Sequence, residues 1–143
     1  MSVPPPFSPT VTLLTLGRAW DASLTEGLKP LGLTTRKYGL LGHIRGTPGI
    51  SFSELARRSR ITVQSAHTVV TAFVAAGLVD DVTAHAGAAS QLRVTAEGTA
   101  LLGRAAEVVA RLDSEFSSRH PGLTEALRAF MAEIQATNGP SFS

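Results

Sequence analysis

LGLTTRKYGLLGHIRGTPGISFSELARRSRITVQSAHTVVTAFVAAGLVDDVTAHAGAASQLRVTAEG, residues 31–98, carries two helix starts eleven residues apart, one helix stop and one hairpin pattern. Ser51 and Glu54 have the spacing of a capping box, and Ile50 with Leu55 that of a hydrophobic staple. A short helix is therefore predicted over 52–59. Thr62 is a good N-cap for the next helix, Thr62–Ala76, whose buried side is Ala66, Val69, Val70 and Phe73. Gly77 is placed as the C′ glycine. Leu78-Val79 opens a strand, Ala86-Gly87-Ala88-Ala89 turns, and Gln91 to Val94 returns. Gly and Ala in that turn set little register.

Outward from this stretch the chain reads as helices. Thr34 caps a helix to about Arg45, and Lys29-Pro30-Leu31-Gly32 separates it from an earlier one over 10–28. That first helix carries Leu13, Leu16, Trp20, Leu24 and Leu28 on one stripe. A long helix is predicted from Ala96 to Phe116, with Leu101, Ala105, Val108, Leu112 and Phe116 aligned. Ser117 to Gly122 is read as an interruption. The last helix has Leu123, Ala126, Leu127, Phe130, Met131 and Ile134 on one face. Residues 1–9, with Pro4-Pro5-Pro6, read as a flexible arm and 138–143 as a flexible tail. The fold class is mainly α with a small β-hairpin wing: one domain over 10–137, a winged helix over 31–98, and helices 10–28 and 96–137 outside it. The outer helices have apolar stripes and no sheet to cover. They either wrap the winged helix as a monomer or pair with a second copy; the homodimer is favoured because two-fold symmetry suits readers of duplex DNA.

Composition narrows the function. With 143 residues, 43% apolar and 17% charged, the chain has material for one core. No apolar run reaches the ~18–20 residues of a membrane span, and the proline-rich start lacks the pattern of a secretion signal. A cytoplasmic location is expected, with no membrane partner. The absence of cysteine excludes disulfides and thiolate chemistry. His43, His67, His85 and His120 form no His-x-x-x-His pair, so neither a metal site nor a cofactor is expected. There is no nucleophile elbow and no phosphate-binding glycine loop, so no catalytic residues are assigned and an enzyme is not expected.

Charge is unevenly placed. Residues 36–60 hold Arg36, Lys37, Arg45, Arg57, Arg58 and Arg60 against Glu54 alone, whereas 96–143 hold six acids against four arginines. The basic cluster falls on the candidate helix pair. On the Thr62–Ala76 helix, the side away from its apolar stripe offers Gln64, Ser65, His67, Thr68 and Thr71 as candidates for base contact. Arg57, Arg58, Arg60 and Arg93 are the candidates for the sugar–phosphate backbone. A solvated polar face is the simpler reading of the same residues.

The order of these elements resembles the MarR family of bacterial winged helix-turn-helix regulators. The matching phrases are Leu31-Gly32-Leu33-Thr34, Pro48-Gly49-Ile50-Ser51 with Glu54-Leu55-Ala56, Gly77-Leu78-Val79, and Val94-Thr95-Ala96-Glu97-Gly98. The resemblance spans roughly residues 11–136. It implies a homodimer on a pseudo-palindromic operator in double-stranded DNA, usually a repressor, released by a small aromatic or phenolic effector. Arg18, Trp20, Tyr38 and His43, on the helices lining the family's pocket, are the ligand candidates. Departures concern the wing. The family's Asp-x-Arg pair is matched here by Ala86 and Ala88, and Asp80-Asp81 follows Gly-Leu-Val where a base is common. Thr68 and Ala72 stand at positions that are often arginine, and Arg93 on the returning strand is the candidate to replace part of the missing wing arginine, a plain surface arginine being the alternative. A dimeric interaction module that has lost DNA binding is the alternative.

Overall fold

The computed structural model describes residues 2–83, 85 and 87–138, excepting the side chain of Asn138. Ser8 caps helix α1 (Pro9–Leu28), a 3-10 turn follows at Lys29–Leu31, and Thr34 caps α2 (Thr35–Gly46). Then come α3 (Phe52–Ser59), α4 (Val63–Ala75), β1 (Val79–Asp81), β2 (Leu92–Val94), α5 (Ala96–Arg119) and α6 (Pro121–Asn138). Ser8 and Pro9, read as arm from sequence, belong to the α1 cap and first turn. The wing turn at Ala84 and Ala86, and the tail beyond Asn138, lie outside the described residues.

The caps form where their chemistry requires. Ser51 Oγ accepts from the Glu54 N–H at 3.1 Å, and Thr62 Oγ1 from the Ser65 N–H at 3.0 Å. Each satisfies one of the donors a helix start leaves orphaned. The capping box, however, is only half made. The Glu54 carboxylate turns to Arg57 and Arg58 instead of the Ser51 N–H, because two guanidiniums on its own helix outcompete one amide. The Phe52 N–H is taken by Ser90 Oγ at 3.0 Å, which ties the α3 start to the wing. Gly77 ends α4 at φ +77°, in the left-handed region that favours glycine.

The sheet is a two-stranded antiparallel pair, with Val79 opposite Val94, Asp80 opposite Arg93 and Asp81 opposite Leu92. A further rung was not foreseen: Ile50 bridges to Leu92, so the α2–α3 connection joins the wing. Between α5 and α6 the interruption expected over Ser117 to Gly122 narrows to one residue. α5 runs on to Arg119 and only His120 breaks the helix, since Pro121 can start α6 without a donor to lose.

The core lies inside the winged helix and along the first half of α5. Leu40, Leu41, Ile44, Leu55, Val70, Phe73, Val79, Leu92, Leu101 and Val108 are buried together. Gly98 makes the closest approach. A Cβ there would stand 2.3 Å from the Leu78 carbonyl oxygen, so only glycine lets α5 start against the wing. Thr95 secures the same junction, donating to the Gly77 carbonyl at 2.6 Å while accepting from the Gly98 N–H. The first turns of α1 and the body of α6 stay open. Val11, Leu13 and Leu14 of α1 are 62%, 58% and 54% exposed, and Phe130 of α6 is 56% exposed. One chain by itself therefore leaves these residues uncovered, whereas Leu24 and Leu28 of the α1 stripe join the core.

Candidate nucleic-acid interface

Helices α3 and α4 are joined by a tight turn. Ile61 N–H returns to the Ala56 carbonyl at 3.1 Å and Arg60 N–H to Arg57 at 3.3 Å, a Schellman arrangement. Arg60 holds its left-handed position at φ +54°, the one non-glycine at positive φ among the described residues. Glycine would be the cheaper occupant, so a guanidinium at this turn is retained against a backbone cost.

On α4, Ala66, Val70 and Phe73 are buried and Val69 packs against the core. Gln64, His67, Thr68 and Thr71 are exposed, and their spacing places them on one stripe opposite that buried side. Ser65 is different: it is half-buried, and its hydroxyl accepts from Thr62 Oγ1 at 2.9 Å within the cap. Thr68 donates its hydroxyl to the Gln64 carbonyl at 3.1 Å. The His67 ring stacks on Phe52, a partner no spacing rule signalled.

The four backbone candidates have distinct settings. Arg57 remains 67% exposed while paired with Glu54. Arg58 is only 20% exposed. It donates to Glu54 at 2.9 Å and to Thr47 Oγ1 at 2.7 Å, so its guanidinium clamps α3 to the α2–α3 connection. Hydrogen bonds from Arg57 and Arg58 lower the Glu54 carboxyl to a pKa of about 2. The same bond raises Arg57 above its ordinary value. Arg60 is exposed at the turn, and Arg93 is exposed on β2 across from Asp80.

The ligand candidates do not converge. Arg18 is exposed on α1. Trp20 packs edge-on to Phe116 at 5.1 Å, with Arg119 over its ring at 5.8 Å. Tyr38 borders a recess between α2 and α5, alongside Arg45 and Leu102. His43 borders a different recess, against Arg58 and Arg60. Burial, then the Arg58 charge, lowers the His43 pKa. Spacing along α1 and α2 could not separate these directions, because each is set by the helix packed alongside. No group of three or more metal-ligating side chains occurs among the described residues, and no helix there is long and apolar enough to cross a membrane.

A helix-turn-helix of this build has clear relatives. A MarR family model matches residues 31–87. The HTH-type transcriptional repressor Rv2887 of Mycobacterium tuberculosis is 32% identical over 108 residues, covering 75% of this chain and 78% of that repressor. The chain belongs to the MarR family. Its fold aligns with the M. tuberculosis MarR family protein Rv2887 solved in complex with DNA (TM-score 0.75, 29% identity, 89% of this chain and 98% of that one). The same relative solved with salicylic acid aligns at TM-score 0.69 and 29% identity over 90% of this chain and 96% of that one. The repressor CouR, bound to a 23-mer DNA duplex, shares the fold at TM-score 0.78 and 21% identity, covering 89% of this chain and 92% of that one.

As a MarR family member the chain is a winged helix-turn-helix transcriptional regulator. Its wing departs from the family pattern in charge. Asp80 and Asp81 are both exposed on β1, and Asp81 accepts from the Thr83 hydroxyl at 2.7 Å. Ala88 is half-buried; Ala86 lies outside the described residues. Arg93, facing Asp80 in the register, is the base the described wing keeps.

Proposed function

We propose that this chain is a homodimeric repressor acting in a bacterial cytoplasm. Two copies of α4 enter successive major grooves of a pseudo-palindromic operator, about one helical turn apart. The observation that carries this reading is the exposed stripe Gln64, His67, Thr68 and Thr71 on a helix whose opposite side is buried. Gln64 can pair bidentately with adenine, and the hydroxyls adapt to either strand. Arg57, Arg60 and Arg93 supply positive charge beside the stripe, with Arg58 positioning α3 behind them. The exposed apolar residues of α1 and α6 support pairing of two copies. A small aromatic acid is the proposed releasing ligand, by likeness to the relative solved with salicylic acid. It acts by binding one spacing of the two reading helices better than the other. The reading is of a binding protein, not an enzyme.

Retardation of the chain's own upstream intergenic DNA at two salt concentrations tests this. The expected result is specific retardation with a shallow salt slope, since each missing phosphate contact removes about one unit from it. The acidic Asp80-Asp81 wing supports a second reading, a dimeric interaction module without DNA binding. No retardation even at low salt would establish that module instead.

A further inference from the structure

The recess between α2 and the α3–α4 turn is bordered neither by the exposed stripe of α4 nor by the exposed apolar residues of α1 and α6. It encloses about 370 Å³ and is bordered by Thr35, Arg36, His43, Arg58, Ser59 and Arg60. No acidic side chain among the described residues borders it. The nearby carboxylate, Glu54, is already shared between Arg57 and Arg58. Arg36 and Arg60 have no ion-pair partner among the described residues. The site therefore holds uncompensated positive charge. Partial burial, then the Arg58 charge, biases His43 on its border toward the neutral form. The Ser59 hydroxyl is buried with no hydrogen-bond partner among the described residues. Leu40 and Ile61 add an apolar border to the same recess.

We propose that this recess binds a small aromatic carboxylate, with the carboxylate on Arg36 and Arg60 and the ring against Ile61. The volume suits a single-ring acid, since ligand pockets begin at roughly 300 Å³. Guanidinium–carboxylate pairing supplies orientation as well as energy. The inference rests on the repressor reading and assigns its effector a place. Arg60 is both a border residue of the recess and a backbone candidate on the turn preceding α4. An occupied recess therefore withdraws that charge from DNA, and ligand and operator weaken each other reciprocally. A DNA phosphate offers the same oxyanion chemistry, so the test separates the two sources.

Calorimetry with salicylate on the full-length dimer, beside operator retardation, decides the matter for wild type, Arg36→Gln and Tyr38→Ala. Arg36→Gln is expected to weaken salicylate at least about ten-fold and to resist salicylate release, with operator affinity held within about three-fold. Tyr38→Ala, which alters the separate α2–α5 recess, is expected to change salicylate affinity less than about two-fold. Salicylate binding lost in Tyr38→Ala and kept in Arg36→Gln would overturn this site while leaving the effector reading intact. Operator affinity falling about ten-fold in Arg36→Gln, with the salt slope reduced by about one and salicylate binding unchanged, would mark a phosphate seat and overturn the ligand assignment. Failure of wild type to bind salicylate would overturn both this site and the effector reading, but not DNA binding.

Discussion

The His67 imidazole lies flat on the Phe52 ring, with centroids 3.9 Å apart and planes 6° from parallel. Phe52 is the first residue of α3 and His67 sits on the exposed stripe of α4, so the stack joins the two helices at their outer surface. A ring held this way loses little freedom when it meets a base, which lowers the cost of any contact it makes.

His67→Phe keeps a ring on Phe52 and removes the imidazole nitrogens. Its stability is expected within about 0.5 kcal/mol of wild type, with sequence preference relaxed by roughly 1–3 kcal/mol at one base pair. His67→Ala loses the stack as well and is expected to cost a further 0.5–1.5 kcal/mol of stability, roughly the worth of an aromatic pair. Thermal unfolding and a mutated-operator panel check both. Unchanged operator preference in His67→Phe would reduce His67 to a packing residue.

Arg57 and Arg58 are adjacent in sequence and differ in role. Arg57→Ala is expected to weaken binding to every DNA sequence alike and to lower the salt slope by about one. Arg58→Ala is expected to destabilise the fold by about 1–3 kcal/mol, because Thr47 and Glu54 lose a charged, half-buried partner. Denaturant unfolding beside a salt titration distinguishes the two. A steeper loss of stability in Arg57→Ala than in Arg58→Ala would contradict the assignment.

Arg60→Gly separates stability from binding. Relief of the positive-φ backbone is expected to stabilise the fold by about 1 kcal/mol, while loss of the guanidinium weakens operator binding. A melting temperature that drops with unchanged binding would refute a charge role at the turn.

Gly98→Ala places a methyl against the Leu78 carbonyl and Val94 Cγ1. Both neighbours are held, one by backbone and one by a stiff β-branched side chain, so a loss of at least about 2 kcal/mol is expected. Thermal unfolding reads it directly.

Acid should loosen α3. The Glu54 carboxyl is depressed from its ordinary 4.5 to about 2 by its arginine partners. A depressed acid stabilises the fold while it is ionised in both states, and that contribution is lost as pH falls from about 5 toward about 2. Glu54→Gln should flatten this part of the stability–pH profile. An unaltered profile in the variant would show that Glu54 does not govern it.

Local chemistry in the sequence determined where the elements start and stop. Ser51, Thr62, Thr95 and Gly77 act on backbone groups within a few residues of themselves, so their roles were legible without any partner element. The exposed stripe of α4 followed from the same local periodicity. Tertiary structure alone decided which way the longer polar side chains turn. Arg58 reaches Thr47 eleven residues away, and Ser90 meets the Phe52 N–H across thirty-eight. Glu54 abandoned the expected box once two guanidiniums came within reach, and Tyr38 and His43 diverged because α5 and α3 pack on different sides of α2. A flexible side chain has several directions open to it on one helix. The charge or surface brought alongside by another part of the chain selects among them.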